Sequence, residues 1–271
     1  MTHSTEPSIT VSDQWITHPA GRLFARRWDP AAVPVEGAVP IVLLHDSLGC
    51  TALWREFPER LCAATGQPVI AYDRLGFGCS DPRSGRPSLN FVAEEAHEYF
   101  PLLREQLGLE QFYLFGHSVG GGMAIECAAA AGSACLGLIT VAAQVFAEQL
   151  TLDSIAEAKQ LFADPAQVAR LGRYHGSKAE WVLHAWTDCW LDPGFLAWSV
   201  EAVLPRVTCP VLAIHGEHDE YGSSCHPQLI AECSGGAAQY EIVAGTYHVP
   251  HRENPELVLS LVTEFLRRCG R

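Results

Sequence analysis

Residues 112–128 read FYLFGHSVGGGMAIECA, and each part of this stretch constrains the next. Phe112–Phe115 is a short, wholly apolar run of the kind found in strands buried on both faces. Gly116-His117-Ser118-Val119-Gly120 follows without a spacer, and small residues with helical spacing then run from Met123 to Ala131. Small residues at 116 and 120 let the backbone turn sharply from strand to helix. That turn lifts the Ser118 hydroxyl into the open above the sheet, over a helix N-terminus whose amides favour negative charge. A glycine-flanked serine alone is weak evidence, because glycine and serine fill turns for structural reasons. The strand-turn-helix setting is what points to a nucleophile.

Further apolar runs lie on either side of this stretch: Ala38 to Leu44, Pro68 to Tyr72, Leu136 to Ala143 and Val211 to Ile214. Helical spacing recurs between them at Ala52 to Ala64, Phe91 to Gln106 and Pro255 to Arg268. Strands alternating with helices predict an α/β fold, a mostly parallel central sheet with helices on both faces. Ile9 to His18 and Gly21 to Trp28 read as an edge hairpin turning at Pro19, Ala20 and Gly21. The rhythm breaks once, over residues 145–206, where strand-like runs vanish and helical stretches such as Ile155 to Ala163 and Ala179 to Leu191 follow one another. This is expected to be an inserted helical lid, with 1–144 and 207–271 as the core. Four of the seven tryptophans, Trp181, Trp186, Trp190 and Trp198, fall in it.

With 31 acidic and 18 basic side chains the formal charge is -13, a field that repels phosphate backbones and anionic lipid surfaces. Nucleic-acid and membrane-surface partners are therefore not expected, and a small-molecule substrate is. Charged residues are 18% of the chain against about 25% in an ordinary globular protein, so neither disorder nor coiled coil fits. Cys127 to Ala147 carries no charge over 21 residues, but its small residues, its glycines and Gln144 fit a helix end, a turn and a core strand better than a bilayer span. Met1 to Glu6 is polar, without the order of a secretion signal, so a cytoplasmic location is expected. The ten cysteines include no CxxC pair and are expected to be free thiols. His215, His218 and Asp219 sit at a strand end and turn without further spaced ligands, so no metal is expected.

The downstream residues supply an acid and a base in the order that a serine nucleophile requires. Asp219, in HGEHDEYG beyond the strand Val211 to Ile214, can orient an imidazole; Glu217 and Glu220 are its neighbours and alternatives. His248, in GTYHVPH after the strand-like Gln239 to Val243, is the candidate base. His251 competes with it, but beside Arg252 and Glu253 it reads as a surface or helix-capping residue. His117 reads as a packing and hydrogen-bonding residue, and His45 as a brace for the loop after its strand.

Taken together, HDSLG at 45–49, DRLGFGCSD at 73–81, GHSVGG at 116–121, GEHDEYG at 216–222 and HVPHRENP at 248–255 resemble the α/β-hydrolase superfamily, in its lid-bearing esterase-like branch. The resemblance covers nearly the whole chain. It implies acyl transfer without a cofactor: Ser118 attacks a carbonyl, His248 moves the proton and Asp219 orients His248. The oxyanion would rest on the amides of Val119 and Ser47. Asp73 and Ser80 would fix a loop, without chemistry. Trp186 and Trp190, one helical turn apart, are expected either to line the pocket or to form the lid's own core.

Four relatives fit less well. Haloalkane dehalogenases and epoxide hydrolases place an aspartate where Ser118 stands, carbon-carbon hydrolases often carry tryptophan where Val249 follows His248, and proline iminopeptidases usually show an HGGPG-type loop. Carbon-carbon hydrolysis on the same three residues and a slow or non-catalytic ligand receptor remain alternatives to an esterase, as either a monomer or a homodimer. The main departure from the common pattern is Asp46, where the loop usually reads His-Gly. Either it turns outward to bond its own loop, or it faces the pocket mouth and repels anionic acyl groups.

Overall fold

The computed structural model describes residues 8–31 and 38–270; the polar segment Met1 to Glu6 lies outside them. An eight-stranded sheet runs in the order β1-β2-β4-β3-β5-β6-β7-β8. Its strands are β1 Ile9–His18, β2 Gly21–Pro30, β3 Ile41–Leu44, β4 Val69–Tyr72, β5 Phe112–His117, β6 Cys135–Val141, β7 Val211–Gly216 and β8 Ala238–Val243. The first two strands form the expected hairpin, β2 pairs antiparallel with β4, and every other pairing is parallel. Every residue of β3, β4, β5 and β7 is buried, as continuous apolar runs in a parallel sheet should be.

In chain order the helices are α1 Phe57–Thr65, α2 Phe91–Glu94, α3 Phe100–Leu107, α4 Val119–Ala131, α5 Gln149–Leu161, α6 Pro165–His175, α7 Ala179–Trp190, α8 Cys225–Cys233, α9 Pro250–Glu253 and α10 Pro255–Cys269. They bury two apolar layers, one on each face of the sheet. The uncharged run from Cys127 resolves into the end of α4, a 3-10 turn at Gly132–Ala134, and β6 with the loop after it. Among the described residues no helix is long and apolar enough to cross a membrane.

One helical reading needs correction and a second holds with an added π turn, and proline explains both. The stretch 52–64 is not one helix: a 3-10 turn at Thr51–Trp54 ends where Arg55 takes φ 53°, and α1 starts anew with Pro58 in its first turn. Inside a continuous helix the ring of Pro58 would strike the carbonyl four residues back. The stretch 91–106 is helical throughout, but a π turn over Glu95–Tyr99 separates α2 from α3, and the Phe100 amide donates to Glu95 O. Pro101 has no N–H to carry the α-helical ladder through this point, and the wider turn absorbs the gap.

Between β6 and β7 the chain leaves the sheet for α5, α6 and α7. Its two ends meet at an antiparallel bridge between Phe146 and Ser199, where the Val200 amide donates to Val145 O at 2.8 Å.

The turn from β5 into α4 is the tightest point of the fold. A Cβ on Gly116 would sit 2.2 Å from Gly120 O, and one on Gly120 would sit 2.3 Å from Leu44 O. Backbone carbonyls cannot yield as a flexible side chain can, so the helix start packs against β3 only because both positions lack a side chain. Gly120→Ala is therefore expected to lower the melting temperature by about 10 °C or to block soluble expression. A melting temperature within about 2 °C of the parent, by circular dichroism, would show that the Leu44 carbonyl has room to shift.

Candidate functional site

Ser118 occupies that turn at φ 56° and ψ -128°, a conformation that non-glycine residues rarely adopt. Holding it costs on the order of 1–3 kcal/mol, which the paired strand on one side and the glycine-permitted contact on the other must sustain. Its amide donates to Val141 O at 2.9 Å, which ties the turn to β6. The hydroxyl donates to His248 Nε2 at 3.0 Å, and His248 Nδ1–H donates to Asp219 Oδ1 at 2.8 Å. The three side chains thus form one hydrogen-bonded line across the ends of β5, β7 and β8. Neither alternative acid reaches it: Glu217 is exposed and accepts from the Gly245 amide, and Glu220 is exposed.

Electrostatics polarise this line. Burial alone would lower the His248 pKa, but the hydrogen bond and charge of Asp219, with the charges of Asp46 and Glu220, hold it above the ordinary histidine value. Burial would raise the Asp219 carboxyl, yet His248, His215 and the Tyr221 amide keep it below the usual carboxylate value. Its Oδ1 accepts from both His248 and Tyr221, while Oδ2 has no hydrogen-bond partner and lies 3.5 Å from His215 Nε2. A carboxylate so placed favours the Nδ1–H tautomer and leaves Nε2 free to accept the serine proton.

The buried histidines around this line act as struts. His45 Nε2 accepts from the Arg74 amide at 3.2 Å, so its proton is on Nδ1, which donates to Asp46 O at 2.8 Å and braces the loop. His117 Nε2–H donates to the His248 carbonyl at 2.9 Å, and burial lowers its pKa to about 4, so at neutral pH it stays uncharged. His251 overturns its sequence reading. It is 3% exposed and packs against Trp54, Phe57, Phe115 and His117, because the four-residue α9 turns its ring inward while Arg252 and Glu253 face out. Asp73 behaves as expected of a loop anchor, its carboxylate accepting from the amides of Thr51 and Cys79, while Ser80 Oγ donates to Asp73 O.

A cavity of about 120 Å³ opens over Ser118 and His248. Asp46, Ser47, Trp186 and Trp190 all line it, together with Leu48, Gln144, Thr151, Ile155 and Tyr221, which sequence reasoning did not assign to the pocket. Both tryptophans are also buried, so wall and core are one role rather than two. Among the described residues neither the Val119 amide nor the Ser47 amide has a protein acceptor. Among the described residues no side-chain hydrogen bond joins Asp46 to its own loop as the outward-turned reading requires; its Oδ1 lies over Gly49, its Oδ2 is 3.8 Å from His117 Nδ1, and the residue borders the cavity. Gln144, at the strand end where a carboxylate is absent, offers Oε1 to the Ser118 hydroxyl at 3.4 Å, a weaker partner than His248. From the helical excursion, His175 accepts from the Gly78 amide and donates to Leu48 O, fastening two core loops at once.

All ten cysteines are free. Of His215, His218 and Asp219, only the first and last approach each other: His215 Nε2 donates to Gly222 O and lies 3.5 Å from Asp219 Oδ2, while His218 lies apart beside Glu217. Among the described residues Glu148, Cys225 and His226 do converge. His226 Nδ1 accepts from the Val145 amide at 3.2 Å, so Nε2 holds the proton and donates to Glu148 at 3.1 Å. An ion at Nε2 would have to strip the ring of its remaining proton, so the group serves as a clasp between α8 and the start of the excursion.

Residues 39–187 match the family model for the α/β hydrolase fold. A segment of 94 residues is 39% identical to the 1-acylglycerol-3-phosphate O-acyltransferase of Sus scrofa, over 33% of this chain and 25% of that protein, so the chain spans about a quarter of this curated relative's length. Among solved structures, a proline iminopeptidase of Mycobacterium smegmatis superposes with TM-score 0.73 at 21% identity, covering 95% of this chain and 98% of that one. A thermophilic esterase of Thermogutta terrifontis gives TM-score 0.73 at 19% identity over 96% and 100% of the two chains.

The raised His248 pKa can be read without any substrate. In an NMR titration the His248 ring is expected to titrate above the ordinary histidine value, and in Asp46→Asn to move downward, because one of the negative charges favouring the imidazolium is gone. An unchanged titration in the variant would place the Asp46 carboxylate too far away, or too well screened, to act on the ring.

Proposed function

This chain belongs to the α/β-hydrolase family, and on that premise we propose that it is a serine hydrolase cleaving a small, largely apolar carboxylic ester, lactone or thioester through an acyl-enzyme. The single observation that supports the reading is the unbroken line from Ser118 Oγ through His248 to Asp219, with spacings of 3.0 and 2.8 Å. As the serine oxygen bonds to the substrate carbonyl carbon, its proton passes to His248 Nε2, and Asp219 stabilises the imidazolium that results. The carbonyl oxygen becomes an oxyanion, received by the unoccupied amides of Val119 and Ser47. Collapse breaks the bond to the leaving group, which takes the proton from Nε2. Water, deprotonated by the same nitrogen, then attacks the acyl carbon and releases the acid and Ser118.

The size and lining of the cavity support the substrate class. About 120 Å³ walled by Leu48, Ile155, Trp186, Trp190 and Tyr221 suits a short apolar acyl group. The segment 145–206 serves in this reading as the lid over the site.

Ser118→Ala is expected to lower kcat/KM for p-nitrophenyl butanoate by about 10⁴ or more while leaving the melting temperature unchanged. A fluorophosphonate probe should label the parent at Ser118 and leave the variant unlabelled. Activity of the variant within about tenfold of the parent would reject Ser118 as the nucleophile.

A further inference from the structure

Beside Ser118 the loop after β6 delivers a neutral amide to the nucleophile. Gln144 is 2% exposed and lines the cavity together with Ser118 and His248. Two residues earlier Ala142 takes φ 51°, a conformation that non-glycine residues rarely adopt, and its amide donates to Ile214 O at 2.9 Å. Strained backbone of this kind persists only where the surrounding structure holds it, here by a bond to β7.

The direction of the Gln144 amide is set as well. Its Nε2 donates to Tyr221 O at 3.4 Å, and a backbone carbonyl can only accept. Turned over, the group would set Oε1 against that carbonyl, oxygen against oxygen, and aim an N–H at Ser118. Oε1 therefore faces the Ser118 hydroxyl. Among the described residues this hydroxyl has two acceptors, His248 Nε2 at 3.0 Å and Gln144 Oε1 at 3.4 Å. The second is long for a hydroxyl already committed to His248, and a closure of about 0.5 Å makes it an ordinary hydrogen bond.

The hydroxyl has one proton, so it serves the two acceptors in turn. While His248 is neutral, Ser118 donates to Nε2. Once Nε2 carries a proton it becomes a donor to Ser118 Oγ, and the hydroxyl must send its own proton elsewhere. We propose that Gln144 is a positioning residue for the nucleophile: its Oε1 accepts the Ser118 O–H whenever His248 is protonated, and by favouring that form it raises the acidic edge of the range in which the site works. This rests on Ser118 and His248 being nucleophile and base. Gln144 bears no charge, so it acts differently from the ionisable groups that face His248. Those are Asp219, Glu220 and Tyr221 after β7, His215 within β7, Asp46 after β3, His117 at the end of β5 and His251 in α9. The carboxylates act through charge and burial lowers the pKa values of the other three histidines, whether or not residue 118 has a hydroxyl. Gln144 acts through that hydroxyl alone.

The test is an NMR titration of the His248 ring in four proteins: the parent, Gln144→Leu, Ser118→Ala and the double variant. Gln144→Leu removes the acceptor while Tyr221 O keeps its bond from Thr151 Oγ1 at 2.6 Å; Gln144→Met, of similar length, replaces it if the leucine variant does not fold. The His248 pKa is expected to fall by about 0.5 on Gln144→Leu in the parent and to stay in place on the same change in Ser118→Ala. The acid limb of kcat/KM for p-nitrophenyl butanoate is expected to follow. At about one pH below the parent's midpoint, Gln144→Leu then keeps roughly two to three times the parent's share of its plateau rate. A fall of equal size in both backgrounds, or in neither, would overturn the proposal. The expected pattern in a parent that cleaves no ester would uphold the bond from Ser118 to Gln144 and reject the serine-hydrolase reading; turnover with an unmoved titration would do the reverse.

Discussion

The constraint on which the rest depends is the close passage of the backbone at the β5-α4 turn over the end of β3. Gly120 meets the Leu44 carbonyl and Gly116 meets the Gly120 carbonyl, both at distances that admit no Cβ. Between them Ser118 is held at positive φ, with its amide fixed to β6. Three neighbouring strands and the first turn of a helix therefore agree on one position for one hydroxyl. Everything else in the site is arranged around that point: the line to His248 and Asp219, the free amides of Val119 and Ser47, and the cavity above.

A second pattern is the use of neutral histidines as rigid struts. Burial lowers the pKa values of His45, His117, His175, His215, His226 and His251, each with desolvation as the leading cause. An uncharged imidazole has one donor and one acceptor on opposite sides, so it can join two backbone segments at a set separation. His45 does this between Arg74 and Asp46, and His175 between Gly78 and Leu48, while His226 holds the Val145 amide and the Glu148 carboxylate of one segment against α8. His248 is pushed the other way, by the carboxylates around it.

Much of the architecture was legible because parallel strands leave a one-dimensional trace: β3, β4, β5 and β7 are continuous apolar runs whichever way the side chains alternate. The positions of Ser118, Asp219 and His248 were legible because each lies within about five residues of the end of a strand: β5 ends at His117, β7 at Gly216 and β8 at Val243. What was not legible depends on contacts distant in sequence. The chain placed no periodicity over α8, whose nine residues include Pro227 and only a narrow apolar face. Thr151, Ile155 and Tyr221 meet over Ser118 only because the excursion folds back over the sheet, with Thr151 donating to Tyr221 O. His251 misled because its sequence neighbours are charged, while the direction of its ring is set by a short helix that begins at Pro250.

The bridge between Phe146 and Ser199 carries a consequence for chain entropy. From the sheet's side, the polypeptide departs and returns at one spot, with backbone hydrogen bonds drawing Val145 to Val200 and Ala147 to Trp198. The cost of bringing two chain ends together grows only as the logarithm of the length between them, so beyond this neck residues can be added or lost with little penalty to the closure of the core. A sheet built this way can keep its own cooperativity while the tissue beyond the neck is remodelled. The neck therefore separates the part of the sequence that must satisfy folding from the part free to be shaped by whatever enters the pocket.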